Sequence, residues 1–409
     1  MTQRNVWIGV CRTLVVLLAL VSLSPGRAAR AQARPGQVSA SDPLEVPLDH
    51  FRNLEYDAAR KELEAWLGQH PTDLRALNYL ATVVLQQEMF RRELLESQVY
   101  GPRGEAFGSA KVPLPAGLQQ ELFGILGKTE TLADLRLKQN PRDEEALYWG
   151  GVVHVTRALF HLTLSKERLA ALGEAKAARK LHAQLLSLNP NYVDALLVLG
   201  TYDYVVGSLP WYLKVLASLV GHRGDRVRGL AEIKRVTEEG HWAREDAKSF
   251  LVVIYFREKS YPEALAILED LARSYPRNFL IPQEMARAYK AQGNWRAAAE
   301  AYDAILAKYA ARAAGYSEIP RAKILYLCGQ AHAQLGESAE ALRRYEEAGK
   351  FQENDIYVFR AELAAAGLCL QRDRRADALR KYERVARGVP NTDEGKAAHQ
   401  ILKQLQASY

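Results

Sequence analysis

The chain has 409 residues, 48% apolar and 25% charged, with 55 basic side chains against 48 acidic ones. That balance excludes a disordered chain and a membrane bundle, and the wealth of Ala, Leu, Arg and Glu favours helix. No run of alternating β-branched residues is long enough to suggest a sheet.

The first element is a processing signal over residues 1–33. Arg4 and Arg12 supply positive charge, and Thr13 to Leu23 is an unbroken apolar stretch of 11 residues. The breakers Pro25 and Gly26 follow, then the small-residue sites Ala29-Arg30-Ala31 and Ala31-Gln32-Ala33. This order reads as a secretory signal peptide whose apolar core is short for a bilayer. Cleavage is expected after Ala33, with Ala31 the second choice and an uncleaved signal anchor the alternative. The protein is therefore expected to be exported, periplasmic or envelope-associated. Cys11 precedes the apolar core, so it is not a lipidation cysteine. Processing would leave 51 basic against 48 acidic residues, a balance of +3. With no basic stripe and interleaved aromatics, no nucleic-acid partner is expected.

Residues 34–240 come next. Tyr56, Ala59, Leu63 and Trp66 space as one helix, closed by Pro71, with its partner helix missing or degenerate. Helices open at Leu74 (Leu77, Leu80, Ala81), near Glu144 (Leu147, Gly151) and near Val193 (Leu196, Leu199, Gly200). Tyr100 to Gly117 is too rich in Gly and Pro for helix and reads as a long loop. Gly127-Lys128-Thr129 resembles the end of a phosphate loop, but Leu122 stands where its first glycine belongs. Without a glycine cradle the backbone cannot wrap a phosphate, so a helix-end Gly-Lys is the reading.

A long helix is expected from about Glu145 to Leu172, carrying Trp149, His154, Phe160 and His161. Its two histidines share a face but stand roughly 10 Å apart along the axis, too far for one metal without a third element. Then Ser208 to Gly221 forms a short apolar helix with Pro210 in its first turn and Leu209, Trp211, Tyr212 and Lys214 on it. Trp211 and Tyr212 suit a membrane interface and Lys214 a headgroup; a plug of the interior is the alternative. Asp225 caps a further helix through Glu239, ended by Gly240, and this cap explains the tripeptide Arg223-Gly224-Asp225.

A regular period rules residues 241–392. Ala264 and Ala298 stand 34 residues apart, each with a tyrosine nine residues upstream (Tyr255, Tyr289) and an aromatic three upstream (Tyr261, Trp295). Residues 279–312 carry Ala286, Gly293, Ala298, Tyr302 and Ile305; residues 322–355 carry Gly329, Gly336, Ala341, Tyr345 and Ala348; residues 359–392 carry Ala366, Ala378, Tyr382 and Pro390. Residues 393–409 read as a capping helix with a charged outer face.

This period and these small and aromatic positions resemble the tetratricopeptide repeat (TPR) family, whose unit is a helix–turn–helix of about 34 residues. The resemblance implies an all-α solenoid, a right-handed superhelix of seven to eight units, with insertions in the N-terminal ones. Gly221, Gly224, Asp225, Arg226, Gly229 and Leu230 are similar to one subset of TPR proteins, the inclusion-body-clearance type linked to membranes and lipid droplets. In the family the first helix of each unit lines a concave groove. The matching positions here are Ser249, Gln283, Arg287, Lys290, Lys323, Tyr326, Gln330 and Arg360, with Phe256 and Arg257 beside them. Cations, amides and rings in one row suit an extended peptide; a solvated helix face is the alternative. The chaperone-type carboxylate clamp needs Lys and Asn where Gln283 and Arg287 stand, so that activity is not implied.

The mature chain keeps Cys328 and Cys369. An oxidising compartment could join them; two buried small apolar residues is the other reading. No catalytic motif, cofactor site or metal-ligand spacing is found. The expectation is a non-enzymatic scaffold for a protein or peptide partner, or else a membrane-peripheral protein docking through Leu209–Val220.

Overall fold

The computed structural model describes residues 42–100, 113–212, 214, 224–351 and 355–407. The signal segment, most of the 100–117 loop and nearly all of the segment beyond Tyr212 lie outside these residues. The described residues form helices joined by turns, with no strand among them.

Seventeen α-helices follow one another among the described residues. They are α1 (Glu45–Arg52), α2 (Tyr56–Gln69), α3 (Leu74–Arg91), α4 (Leu118–Gln139), α5 (Glu144–Thr163), α6 (Arg168–Leu188), α7 (Leu196–Gly207), α8 (Arg226–Glu239) and α9 (Arg244–Glu258). After these come α10 (Tyr261–Ser274), α11 (Leu280–Ala291), α12 (Trp295–Ala310), α13 (Arg321–Gln334), α14 (Ser338–Ala348), α15 (Ile356–Gln371), α16 (Arg375–Gly388) and α17 (Asp393–Ala407). They read as successive helix pairs and a terminal helix, an all-α array of TPR type. The chain divides into two compact units, one ending at Ile267 and the other starting at Leu268, so the division falls inside α10.

In the first unit, α1 packs on α2, α3 on α4, α5 on α6 and α7 on α8. Apolar residues at helical spacing make its core: Leu122 and Leu126 of α4, Phe160 of α5, Tyr204 of α7 and Phe250 of α9. Capping carboxylates start the helices. Asp73 accepts from the Ala76 N–H at 2.9 Å and Asp143 from the Ala146 N–H at 3.0 Å. Asp225 accepts from Val227 and Arg228 N–H at 2.9 and 3.0 Å, as its sequence position requires.

The helix at Tyr56 has a short partner, the eight-residue α1, which packs on it. Two expectations for this unit are corrected. Residues 145–172 are not one helix. The chain turns after Thr163, with Lys166 left-handed (φ 59°), and returns as α6. Neither Gly nor Pro marks that turn. Gly127 and Lys128 lie in the middle of α4 rather than at a helix end.

α7 and α8 approach backbone to backbone. A Cβ on Gly200 would sit 2.9 Å from the Gly229 carbonyl oxygen, and one on Gly229 would overlap the Gly200 carbonyl and the Tyr204 amide. Only glycine fits this crossing.

The second unit keeps the repeat geometry. α11 packs on α12, α13 on α14, α15 on α16, and α17 closes α16. The small positions Ala298, Ala341 and Ala378 are fully buried, and Leu325, Tyr345, Phe359 and Tyr382 fill the core around the last two. The turns within these pairs each hold one left-handed residue: Gly293 (φ 75°), Gly336 (φ 76°) and Asp373 (φ 56°). Cys328 and Cys369 are both buried free thiols, so the bridge is not made.

Candidate functional site

In the first unit the repeat openings converge on an aromatic cleft. Asp194, in the 3-10 turn before α7, is the organising residue. Its Oδ1 accepts from the N–H groups of His241, Trp242 and Ala243, each at 2.8 Å. This clip fixes the loop before α9 and sets Trp242 opposite Trp149 of α5, ring centroids 6.1 Å apart. Tyr79 and Tyr148 pack edge-on to Trp149 at 5.5 and 4.8 Å. Arg75 lies over the outer face of Trp242 at 4.6 Å and pairs with Asp42.

The two tryptophans divide the cleft. Outside them is an open space of about 310 Å³, bordered by Arg75, Arg136, Glu145 and Tyr192. Inside them is a smaller, partly open cavity of about 40 Å³, lined by Tyr79, Tyr148, His182, Asp194 and Asp246. Its polar atoms are unusual. Tyr79 Oη, His182 Nδ1 and Asp246 Oδ1 are shielded from solvent and meet no partner among the described residues. His182 Nε2 reaches the Tyr148 carbonyl at 3.2 Å. Burial lowers the His182 pKa to about 4 against that bond, keeping the ring neutral. Burial pushes the Asp246 carboxyl well above the usual range, opposed by the Arg52 charge, and pushes Asp194 up against its three N–H donors.

A raised acid binds its proton more firmly in the folded state, so Asp246 stabilises least once pH has passed its folded pKa. Asp246→Asn should therefore melt higher than the parent at pH 8, on the scale of one relieved buried polar group, about 1–3 kcal/mol. The advantage should vanish as pH falls towards 3.8, the ordinary value for the group. Thermal melts from pH 4 to pH 8 check this; an advantage independent of pH would contradict it.

The groove residues expected from the sequence fall in both units. In the first, Ser249 is part-buried and Arg257 exposed on α9. In the second, Gln283 and Lys323 are buried, 4% and 1% exposed, so they offer no accessible surface. Four of the rest fall into two contact groups. Lys290 of α11 donates to Gln330 of α13. Tyr326 of α13 lies tilted against Tyr357 of α15, centroids 5.8 Å apart, and Arg360 lies over Tyr357 at 5.0 Å. Arg287 pairs with Glu284, and Arg360 with Glu394 at 2.8 Å. Burial lowers the pKa of Lys290, whose contacts are the neutral Gln330 and the Trp295 ring at 6.0 Å.

Leu209 is buried, whereas Trp211 and Tyr212 are 77% and 49% exposed and Lys214 is also exposed. His154 and His161 go to different carboxylates, Glu174 at 2.6 Å and Glu167 at 3.0 Å. The sequence reading missed the cleft because its walls come from α3, α5, α6 and the loop before α9. Its one sequence signal is the acid beside each of the three helix openings at Leu74, Glu144 and Val193: Asp73, Asp143 and Asp194.

Successive helix pairs with buried small residues define a helical-repeat protein. Residues 284–355 match the family model described as tetratricopeptide repeat. This fold supports a protein–protein interaction scaffold. No curated protein sequence matches the chain. Among solved structures, it is similar to a tetratricopeptide repeat protein from Parabacteroides merdae, at 14% identity over 78% of this chain and 96% of that one, TM-score 0.31. It is also similar to yeast Tom70, at 12% identity over 89% and 88%, TM-score 0.37. A third is PilW, a type IV pilus biogenesis factor, at 16% identity over 59% and 93%, TM-score 0.37.

Proposed function

We propose that this protein is an exported, non-catalytic adaptor that holds an extended segment of a partner protein along the first helices of its second unit. One observation carries the reading. Lys290 of α11 meets Gln330 of α13, and one turn away on α13 Tyr326 meets Tyr357 of α15, over which Arg360 lies. The amide can bond a peptide backbone, the ring can hold a side chain, and Lys290 has neutral neighbours that leave its charge to an incoming carboxylate. The apolar run Thr13–Leu23 supports export.

Fluorescence-polarisation titrations against extended peptides of graded acidic content test this. Saturable curves are expected, weakened at least tenfold by Arg287→Glu combined with Lys290→Glu, with helical circular dichroism unchanged. Curves unmoved by that double reversal would remove this band from the site.

A second reading rests on the exposed Trp211 and Tyr212, whose rings stand 6.0 Å apart. Two bare amphipathic aromatics beside Lys214 suit peripheral contact with an anionic membrane. No helix among the described residues is long and apolar enough to cross one. Flotation with anionic vesicles that Trp211→Asp abolishes would favour this reading; a chain that stays in the pellet with both sequences would exclude it.

A further inference from the structure

One cluster in the second unit has donors that belong together for a reason the repeat does not supply. Cys328 and His332 stand four residues apart on α13, hence on one face. Asp303 faces them from α12. The ligand atoms of the three side chains all lie within 4.8 Å of one another. Cys328 Sγ donates to Asp303 Oδ1 at 3.2 Å, and His332 Nε2 meets Asp303 Oδ2 at 3.1 Å. The other ring nitrogen, Nδ1, meets Glu337 Oε2 at 2.6 Å. Arg344 also donates to Asp303 Oδ1 and pairs with Glu340 at 2.9 Å. Cys328 is fully buried and His332 nearly so, while the Asp303 side chain keeps 34% of its exposure.

We propose that Asp303, Cys328 and His332 form a binding site for a borderline divalent transition ion, Zn²⁺ foremost. A set of one thiolate, one imidazole and one carboxylate matches the ligand preference of that ion, and three protein ligands leave a fourth tetrahedral position. Metal–ligand bonds of about 2.0–2.3 Å bring tetrahedral ligand atoms to roughly 3.3–3.8 Å from one another. The two contacts to Asp303, at 3.2 and 3.1 Å, already stand close to that spacing, and the three ligand atoms lie within 4.8 Å of one another.

Glu337 makes the arrangement specific. A carboxylate bonded to the far nitrogen of a histidine fixes the ring and directs the other nitrogen at the metal. Glu337 is in turn held by Arg296 at 2.6 Å. Arg344 does not block the site. It sits on Oδ1, so Asp303 can bind an ion through Oδ2 and keep its arginine.

The exchange balances in protons. A carboxylate oxygen only accepts, so the Sγ–Oδ1 and Nε2–Oδ2 contacts each contain one proton. Binding breaks the S–H bond and the Nε2–H bond, forms bonds from the ion to Sγ, Nε2 and Oδ2, and releases both protons to water. Burial and the neighbouring Asp303 charge push the Cys328 thiol pKa up, so the ion must supply the drive for that loss. The path in is from the exposed side of Asp303.

Titration of the reduced full chain with Co²⁺ tests the site. A thiolate-to-cobalt charge-transfer band and the strong visible bands of a four-coordinate centre should appear, with two protons released per ion, and Zn²⁺ should displace the spectrum. Cys328→Ser should abolish the charge-transfer band, while Cys369→Ser should leave it. Asp303→Asn, on the exposed side, should weaken binding at least tenfold. Glu337→Gln, a positioning change, should weaken it about 10- to 100-fold and keep the spectrum. Absence of the band in the parent chain, or its survival in Cys328→Ser, would overturn the proposal. Should Cys328→Ser lose its helical signal, Asp303→Asn and Cys369→Ser decide: unchanged affinity in the first, or a lost band in the second, is equally fatal.

Discussion

Gly229→Ala should be among the most damaging single changes in the first unit. The added methyl would enter the space held by the Gly200 carbonyl and the Tyr204 amide, which are backbone atoms of α7 and cannot rotate away. The two helices would have to part. Overpacking a core commonly costs about 1–3 kcal/mol, and a clash with main chain belongs at the upper end. For a unit of this size that is a fall in Tm of roughly 6–12 °C. Gly173→Ala is the matched control. Gly173 lies exposed within α6, and a Cβ there would have no neighbour within 4 Å. It should raise stability by about 0.5–1 kcal/mol through the entropy of the unfolded chain. Thermal melts of both variants give the comparison, and a neutral Gly229→Ala would mean that the crossing is looser than described.

Asp194→Ala should cost about 2–4 kcal/mol, because three N–H groups lose one acceptor and the part of the loop at Ala243 has no water to replace it. Asp194→Asn keeps a carbonyl oxygen at the same place and should lose far less. The two variants should also differ in tryptophan fluorescence. With the clip gone, Trp242 leaves Trp149 and gains water, shifting its emission to the red. Equal melts for Ala and Asn, or an unmoved emission maximum, would show that the loop is held by packing instead.

The regular repeats were legible because their small positions cannot be filled by anything larger. Ala298, Ala341 and Ala378 are where two helices touch, and each is fully buried. Their spacing therefore shows directly in the sequence. The front half was less legible, for two physical reasons. Its turns use residues that carry no turn signal. Lys166 takes the left-handed conformation itself, as do Leu54 and Glu93, so an unbroken helical pattern runs straight through residue 166. The first helix is also only eight residues long, too short for its periodicity to stand out.

Sites were harder still. The groove row could be listed by position, but burial of Gln283 and Lys323 depends on how deeply each helix sits, which spacing does not encode. The Asp303 cluster was invisible for a related reason. Cys328 and His332 are four residues apart, yet their third member lies 25 residues upstream of Cys328 on another helix.

Within the second unit each helix touches chiefly the one before and the one after it. Partners that close in sequence are found without a long search, so structure can consolidate hairpin by hairpin as the chain lengthens. The same economy of reach makes injury parochial. A lesion in α16 strips the support of α15 and α17 and leaves α11 with its own neighbour intact, so such a molecule wears from one end like a fraying rope rather than failing everywhere at once.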